Sequence, residues 1–220
     1  SETDTTLDCD VVVCGSGAGG GVAAGILAEA GLDVVVLEAG SNLGPSDFTQ
    51  VEGDMLTRAY LDGGLLLTRS GSLPILAGHC VGGGTVVNWT SSFGLTGPVR
   101  EQWDTVSGLR RFTSADFEAA LARVSARIDV NVESSPAAPR DQVLERGLRS
   151  LGWDVGVIPR NARGCPSDLE CGYCGLGCRH GAKRSTTATY LADAIGRGAR
   201  LVADATAERV LVERGRAVGE

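Results

Sequence analysis

Residues 11–21 read VVVCGSGAGGG, and a second apolar run, VVVLEAG, ends at residue 40. An unbroken Val run is the pattern of a strand buried on both faces in a parallel sheet. The spacing predicts a strand over Asp10–Cys14, a Gly-rich turn and a helix from about Ala18 to Ala30. Gly31 is its C-cap, and a second strand follows over Asp33–Leu37. Gly15, Gly17 and Gly20 fall in the G-x-G-x-x-G pattern. The first permits a tight turn, the second lets backbone approach a pyrophosphate, and the third allows close packing of helix on strand. The helix N-terminus then offers N–H groups and a partial positive charge to phosphate. Glu38 closes the second strand, 18 residues beyond Gly20. A carboxylate there accepts hydrogen bonds from ribose hydroxyls and repels a 2′-phosphate. Strand, helix, second strand and acid all fit dinucleotide binding, but the pattern does not separate FAD from NAD.

The 220 residues include 32 Gly but only 4 Phe, 3 Trp and 3 Tyr, and 43% are hydrophobic. That composition suits a globular α/β protein and excludes a disordered chain. Net charge is −7. Lys183 is the only lysine, and the other basic residues are Arg. No polybasic stripe is present, so nucleic acid and anionic membrane surfaces are not expected partners. The stretch SETDTTLDCD is polar and acidic, without the apolar core of a signal peptide, and no apolar run reaches membrane-spanning length. A cytoplasmic location is the expectation, with the seven Cys as thiols or ligands rather than a disulfide framework.

Further along, residues 40–77 are punctuated by Gly and Pro and carry no clear element. A connection this long commonly wraps a ligand. Residues 78–94, GHCVGGGTVVNWTSSFG, form a second Gly-rich segment. FTSADFEAALARVSARI predicts an amphipathic helix capped by Thr113 or Ser114, with Phe117, Leu121, Val124 and Ile128 on one face. Residues 133–140 read as a turn, followed by a helix over Asp141–Leu151 and a strand near Val155–Ile158. After a cysteine segment at 165–178 come a helix over Thr186–Ile195 and strands near 200–203 and 207–213. Arg214-Gly215 reads as a turn, and a strand begun at Arg216 is cut short. The chain is therefore expected to be a truncated piece.

Three blocks resemble the glucose–methanol–choline (GMC) family of flavoprotein oxidoreductases, most of all its long-chain alcohol oxidase branch. They are the N-terminal fingerprint, GHCVGGGTVVNWTSSF at 78–93, and GCPSDLECGYCGLGCRHGAKRSTTATYLADAIGRGARLV at 164–202. The second block resembles the family signature GG[GST][GST] followed by two residues and then Asn or His, here Gly82, Gly83, Gly84, Thr85 and Asn88. His79 and Ser92 depart from the residues usual at their positions. Gly82–Gly84 lack side chains, so a flat ring or a phosphate can reach their backbone.

The resemblance implies an α/β fold: a Rossmann-type FAD-binding domain with a parallel sheet and helical insertions, its substrate domain incomplete. Residues 1–220 are expected to be the N-terminal FAD-binding portion, without the C-terminal catalytic region. It implies FAD held by Gly15, Gly17, Ala18, Gly19, Gly20, Glu38 and Ala39 in the first segment. Val81, Gly82, Gly83, Gly84, Thr85 and Asn88 follow in the second, and Ala207 meets the adenine with its backbone. Some members attach flavin through a His within the second block; Val87 stands there, so non-covalent FAD is expected. The implied reaction oxidises an alcohol to an aldehyde or ketone by hydride transfer to flavin N5. The family's proton-accepting His is expected beyond residue 220, so no catalytic residue is assigned here. The electron acceptor is open between oxygen, a quinone and a redox protein. Two rival readings are an NAD-linked dehydrogenase and a non-catalytic flavin-binding or electron-transfer subunit.

Cys165, Cys171, Cys174 and Cys178 are spaced C-x5-C-x2-C-x3-C. Four thiols within 14 residues can converge on one metal. The last three resemble part of a ferredoxin run, but Arg179 replaces the usual Pro. Nor is the spacing a paired zinc pattern. Three readings stand: structural or locally disulfide-bonded cysteines, an iron–sulfur cluster, or zinc. Cys9, Cys14 and Cys80 are expected to pack. His79 and His180 are the only histidines, and surface or structural roles are expected for both.

Overall fold

Three short strands form a sheet around the first Val run. The computed structural model describes residues 6–134, 137–166 and 171–219. Residues 1–5, Glu220, 135–136 of the expected turn and 167–170 of the cysteine segment lie outside them. In chain order the elements are β1 (Val11–Cys14), α1 (Ala18–Glu29), β2 (Val34–Leu37), α2 (Glu52–Ala59), α3 (Gly84–Val87), α4 (Gly97–Ser107) and α5 (Ala115–Arg127). There follow β3 (Val130–Asn131), α6 (Pro139–Ser150), β4 (Arg160–Asn161), α7 (Tyr190–Gly196), β5 (Arg200–Val202), β6 (Leu211–Glu213) and β7 (Arg216–Gly219). The chain divides into two units.

The first unit lies within Ser1–Trp89, Tyr173–Gly181 and Ser185–Glu220. Its sheet has the order β1-β2-β5, all parallel, with Val11 opposite Val34 and Val35 opposite Arg200. β2 is central, and its three valines are almost wholly buried, which is why no polar residue interrupts them. One core cluster joins Val13, Val34 and Val36 to Ala24 of α1 and to Leu191 and Ala194 of α7. α1 and α7 approach closely because α1 carries glycine on the facing side. A Cβ on Gly21 would stand 2.7 Å from the Thr186 side chain, and one on Gly25 3.0 Å from the Tyr190 ring.

A second cluster holds Phe48, Met55, Ala59, Tyr60, Cys80, Val86 and Val87. It gives the 40–77 stretch a hydrophobic anchor in α2, an element whose Gly53 and flanking loops hide it from periodicity. The Tyr60 hydroxyl donates to the Gly175 carbonyl at 2.5 Å. Burial, with the Cys80 thiol nearby, pushes its ionisation above the ordinary tyrosine range.

The expected helix over Thr186–Ile195 is split. Thr186–Ala188 forms a 3-10 turn, Thr189 leaves helical geometry (φ −132°, ψ −101°), and α7 begins at Tyr190. Local hydroxyl bonds compete with the helix here: Thr189 Oγ1 donates to the Ser185 carbonyl at 2.7 Å, and the Ser185 and Thr187 hydroxyls pair at 2.6 Å. Arg214 and Gly215 both have positive φ, 51° and 78°, and connect β6 to β7 as a tight antiparallel hairpin.

The second unit lies within Thr90–Gly172 and Ala182–Arg184. Ser114 caps α5 by accepting from the Phe117 N–H at 3.2 Å, as its sequence predicts. α4 is absent from the sequence reading, although Thr96, Pro98 within its first turn and the left-handed Gly108 (φ 70°) mark both ends. Trp103, Phe112 and Phe117 stack edge to face, with centroids 5.3 Å apart in each successive pair. The Asp104 carboxylate accepts from the Thr113 hydroxyl and from the Phe112 and Thr113 N–H groups. These bonds, the hydroxyl's first, hold it below the ordinary carboxylate range. The strand expected at 155–158 does not form. Pro159 removes a donor and restricts Ile158, so pairing moves to Arg160–Asn161, which meets Val130–Asn131 antiparallel.

Candidate functional site

The turn between β1 and α1 is shaped by a clash that only glycine avoids. A Cβ on Gly20 would sit 1.9 Å from the Gly15 carbonyl oxygen and 3.2 Å from Val13. Gly15 itself has φ +86°, the left-handed region. Gly17 and Gly19 differ: a Cβ on either would meet nothing within 4 Å. These glycines leave space rather than fill a tight fit.

The second Gly-rich segment lies against the first. A Cβ on Gly83 would stand 3.1 Å from Gly17 Cα. Gly82 and Gly83 both have positive φ, 91° and 51°, while Gly84 opens α3 with nothing near its absent Cβ. Thr85 Oγ1 donates to the Gly82 carbonyl at 2.6 Å and accepts from the Thr186 N–H at 3.1 Å. Val81, Gly82 and Gly83 are buried, and Val87 also packs inward. Gly84 and Asn88 are exposed.

Ser16 joins these parts. It is fully buried. Its hydroxyl accepts from the Gly82 N–H at 2.8 Å and donates to Glu38 Oε2 at 2.5 Å. Its own N–H donates to the same oxygen at 2.9 Å, and its carbonyl accepts from Thr186 Oγ1 at 3.0 Å. Glu38 Oε1 accepts from the Gly40 N–H at 2.9 Å. The acid expected to face a ribose is thus buried and engaged by three protein donors, out of about four acceptor positions on a carboxylate. Neither Ser16 nor Thr186 stands out in the sequence reading. The available signal is a hydroxyl residue lodged between two motif glycines, and a Ser/Thr run where a plain helix start was expected.

This arrangement fits a dinucleotide diphosphate. Gly17, Gly19 and Gly84 leave their backbone approachable, Ala18 and Gly19 are exposed, and the first turn of α1 carries no acid to repel phosphate. The first N–H groups of a helix have no partner within it. Ala39 is half-buried. Ala207 is exposed, two residues past Ala205, whose N–H donates to the Glu38 carbonyl at 2.9 Å.

The remaining sequence candidates lie elsewhere. His79 is half-buried, with its backbone pressed so closely on Gly40 that a Cβ there would meet the His79 carbonyl carbon at 2.3 Å. His180 is exposed. Cys80 is buried and Cys9 half-buried, while Cys14 is exposed rather than packed. Cys165, Cys171, Cys174 and Cys178 are half-buried. Among the described residues no group of three or more His, Cys, Asp or Glu side chains is arranged to hold a metal ion. Two glycines of this segment serve packing instead: Gly175 lies against Trp89, and Gly177 against the Phe48 ring. Among the described residues no helix is long and apolar enough to cross a membrane.

Comparison with known proteins bears on the same residues. A model of the GMC oxidoreductase family matches residues 56–219, and one of an FAD binding domain matches residues 10–50. Long-chain-alcohol oxidase FAO4B of Arabidopsis thaliana is 43% identical over 208 residues, covering 94% of this chain and 27% of that protein. FAO1 of the same plant is 37% identical over 212 residues, covering 96% and 28%. The chain therefore spans about a quarter of the length of these curated relatives. A solved formate oxidase structure from Aspergillus oryzae shares the fold, with a TM-score of 0.56 at 15% identity, over 93% of this chain and 40% of that one.

Proposed function

The chain belongs to the GMC oxidoreductase family, and on that premise we propose that it is the FAD-binding portion of an enzyme that oxidises an alcohol to an aldehyde or ketone. The observation that carries the proposal is the meeting of the two Gly-rich turns, Gly83 on Gly17. Together they leave a backbone-lined face beside the N-terminus of α1. In that setting Gly17, Gly19 and the first N–H groups of α1 receive the diphosphate, and Gly84, Thr85 and Asn88 lie along the rest of the cofactor on a turn shaped by the buried Gly82 and Gly83. Flavin, when bound, supplies the hydride acceptor for the alcohol carbon. This chain's residues bind and orient it.

An aliphatic alcohol is the substrate class that the similarity to long-chain-alcohol oxidases supports. The proton acceptor and the electron acceptor are not assigned to residues of this chain. The flavin reading is favoured over a nicotinamide-linked one because an FAD binding domain matches residues 10–50 and the GMC family matches residues 56–219.

The test is anaerobic mixing of the full-length protein with a long-chain primary alcohol. The expected result is bleaching of the flavin absorbance with formation of aldehyde. A bound flavin that no alcohol bleaches would make the protein a flavin-binding or electron-transfer subunit. Reduction of added NAD with no flavin absorbance would replace the proposal with a pyridine-nucleotide dehydrogenase.

A further inference from the structure

We infer that Ser16 is a positioning residue of the flavin site: its side chain holds the second Gly-rich turn at the place where that turn meets the cofactor. The inference rests on the FAD reading above.

One hydroxyl joins one acceptor and one donor of fixed kind. A carboxylate only accepts, so the 2.5 Å contact with Glu38 Oε2 consumes the Ser16 proton. An amide N–H only donates, so the 2.8 Å contact with Gly82 places that hydrogen on a Ser16 lone pair. The direction of both bonds is therefore determined, and each end of the hydroxyl has one use. The partners are 22 and 66 residues away in sequence. One side chain thus joins the turn after β1, the end of β2 and the start of the Gly82–Gly84 segment.

Gly82 is held at both of its polar groups: its N–H by Ser16 and its carbonyl by Thr85. Its left-handed φ of +91° leaves few other ways to orient the turn that follows. Beyond it Gly83 presses on Gly17 and Gly84 faces open space. Removing the Ser16 hydroxyl leaves the buried Gly82 N–H without a partner, which the turn relieves by shifting. The shift moves the backbone expected to lie against flavin, while the paired strands β1 and β2 keep their register.

The experiment uses the full-length protein as wild type, Ser16→Ala and Ser16→Cys. FAD dissociation constants are measured by flavin fluorescence on apoprotein reconstituted with FAD. Visible circular dichroism of the bound flavin and the apoprotein melting temperature complete the set. Ser16→Ala is expected to raise the FAD dissociation constant at least about tenfold and to change the flavin dichroism even at saturation. Ser16→Cys keeps a weak donor and acceptor, so a smaller rise is expected. It carries the test if the alanine variant does not fold. Affinity within about twofold of wild type and an unchanged dichroism, with only a lowered apoprotein melting temperature, would overturn the inference and leave Ser16 a packing residue. If the wild type itself takes up no FAD, the functional reading falls together with the inference. An intact wild-type affinity beside unaffected variants overturns the inference alone.

Discussion

The two Gly-rich turns use glycine differently. In the first, between β1 and α1, one glycine is forced by a backbone contact, Gly20 against the Gly15 carbonyl, while Gly17 and Gly19 border open space. In the second the balance is reversed. A Cβ on Gly78 would strike the Gly83 carbonyl carbon at 2.4 Å, one on Gly82 would strike Val86 and Thr187, and one on Gly83 would crowd Gly17; within Gly82–Gly84, Gly84 alone is open. The first turn is mostly an opening and the second mostly a fitted part. A motif that counts glycines cannot tell a position where a side chain would break the fold from one where it would block a ligand.

Substitutions sharpen this contrast. Gly20→Ala has the largest expected effect. Its Cβ meets backbone rather than a flexible side chain, so we predict a stability loss above about 4 kcal/mol, seen in chemical denaturation as failure to reach the native baseline. Gly82→Ala combines a left-handed φ with side-chain contacts of 2.7 and 2.8 Å. We predict a loss of about 2–4 kcal/mol and a lower melting temperature, accompanied by weaker FAD binding. Gly17→Ala is the decisive contrast. Nothing lies within 4 Å of its Cβ, so the apoprotein should lose no more than about 1 kcal/mol, the cost of a poorer helix cap. Its FAD dissociation constant should nonetheless rise about tenfold or more. Equal losses of stability and affinity at Gly17 would break the comparison. Gly147→Ala, in the middle of exposed helix α6 with nothing near the new methyl, is the smallest effect: a gain of about 0.5–1 kcal/mol in urea unfolding and no change in FAD affinity.

The sequence made the Rossmann start legible because every level agreed there. The buried Val strands, the turn glycines and the acid at the end of β2 each demand the same geometry. The turn at Arg214-Gly215 was legible from its glycine, while the positive φ of Arg214 (51°) is something only the structure shows. Elsewhere the deciding forces are long-range. Glu38 looks like a ribose ligand in sequence, but only the fold reveals that Ser16 and Gly40 already occupy most of its acceptor positions. α2 owes its place to Met55 and Ala59 entering a core built partly from residues 80–87. The break at Thr189 reflects hydroxyl bonds that helix periodicity does not register. Cysteine spacing in the 165–178 segment invites a metal, whereas the neighbouring Gly175 and Gly177 are explained by the rings they pack against.

On this reading the two turns together hold FAD without a covalent link, with Val87 buried where the family resemblance places the attaching His of some members. The most direct test is acid precipitation of the purified full-length protein, followed by flavin analysis of both fractions. The account predicts equimolar FAD released into the supernatant and a colourless pellet. Flavin retained by the pellet, or no flavin in either fraction after incubation with FAD, would contradict it.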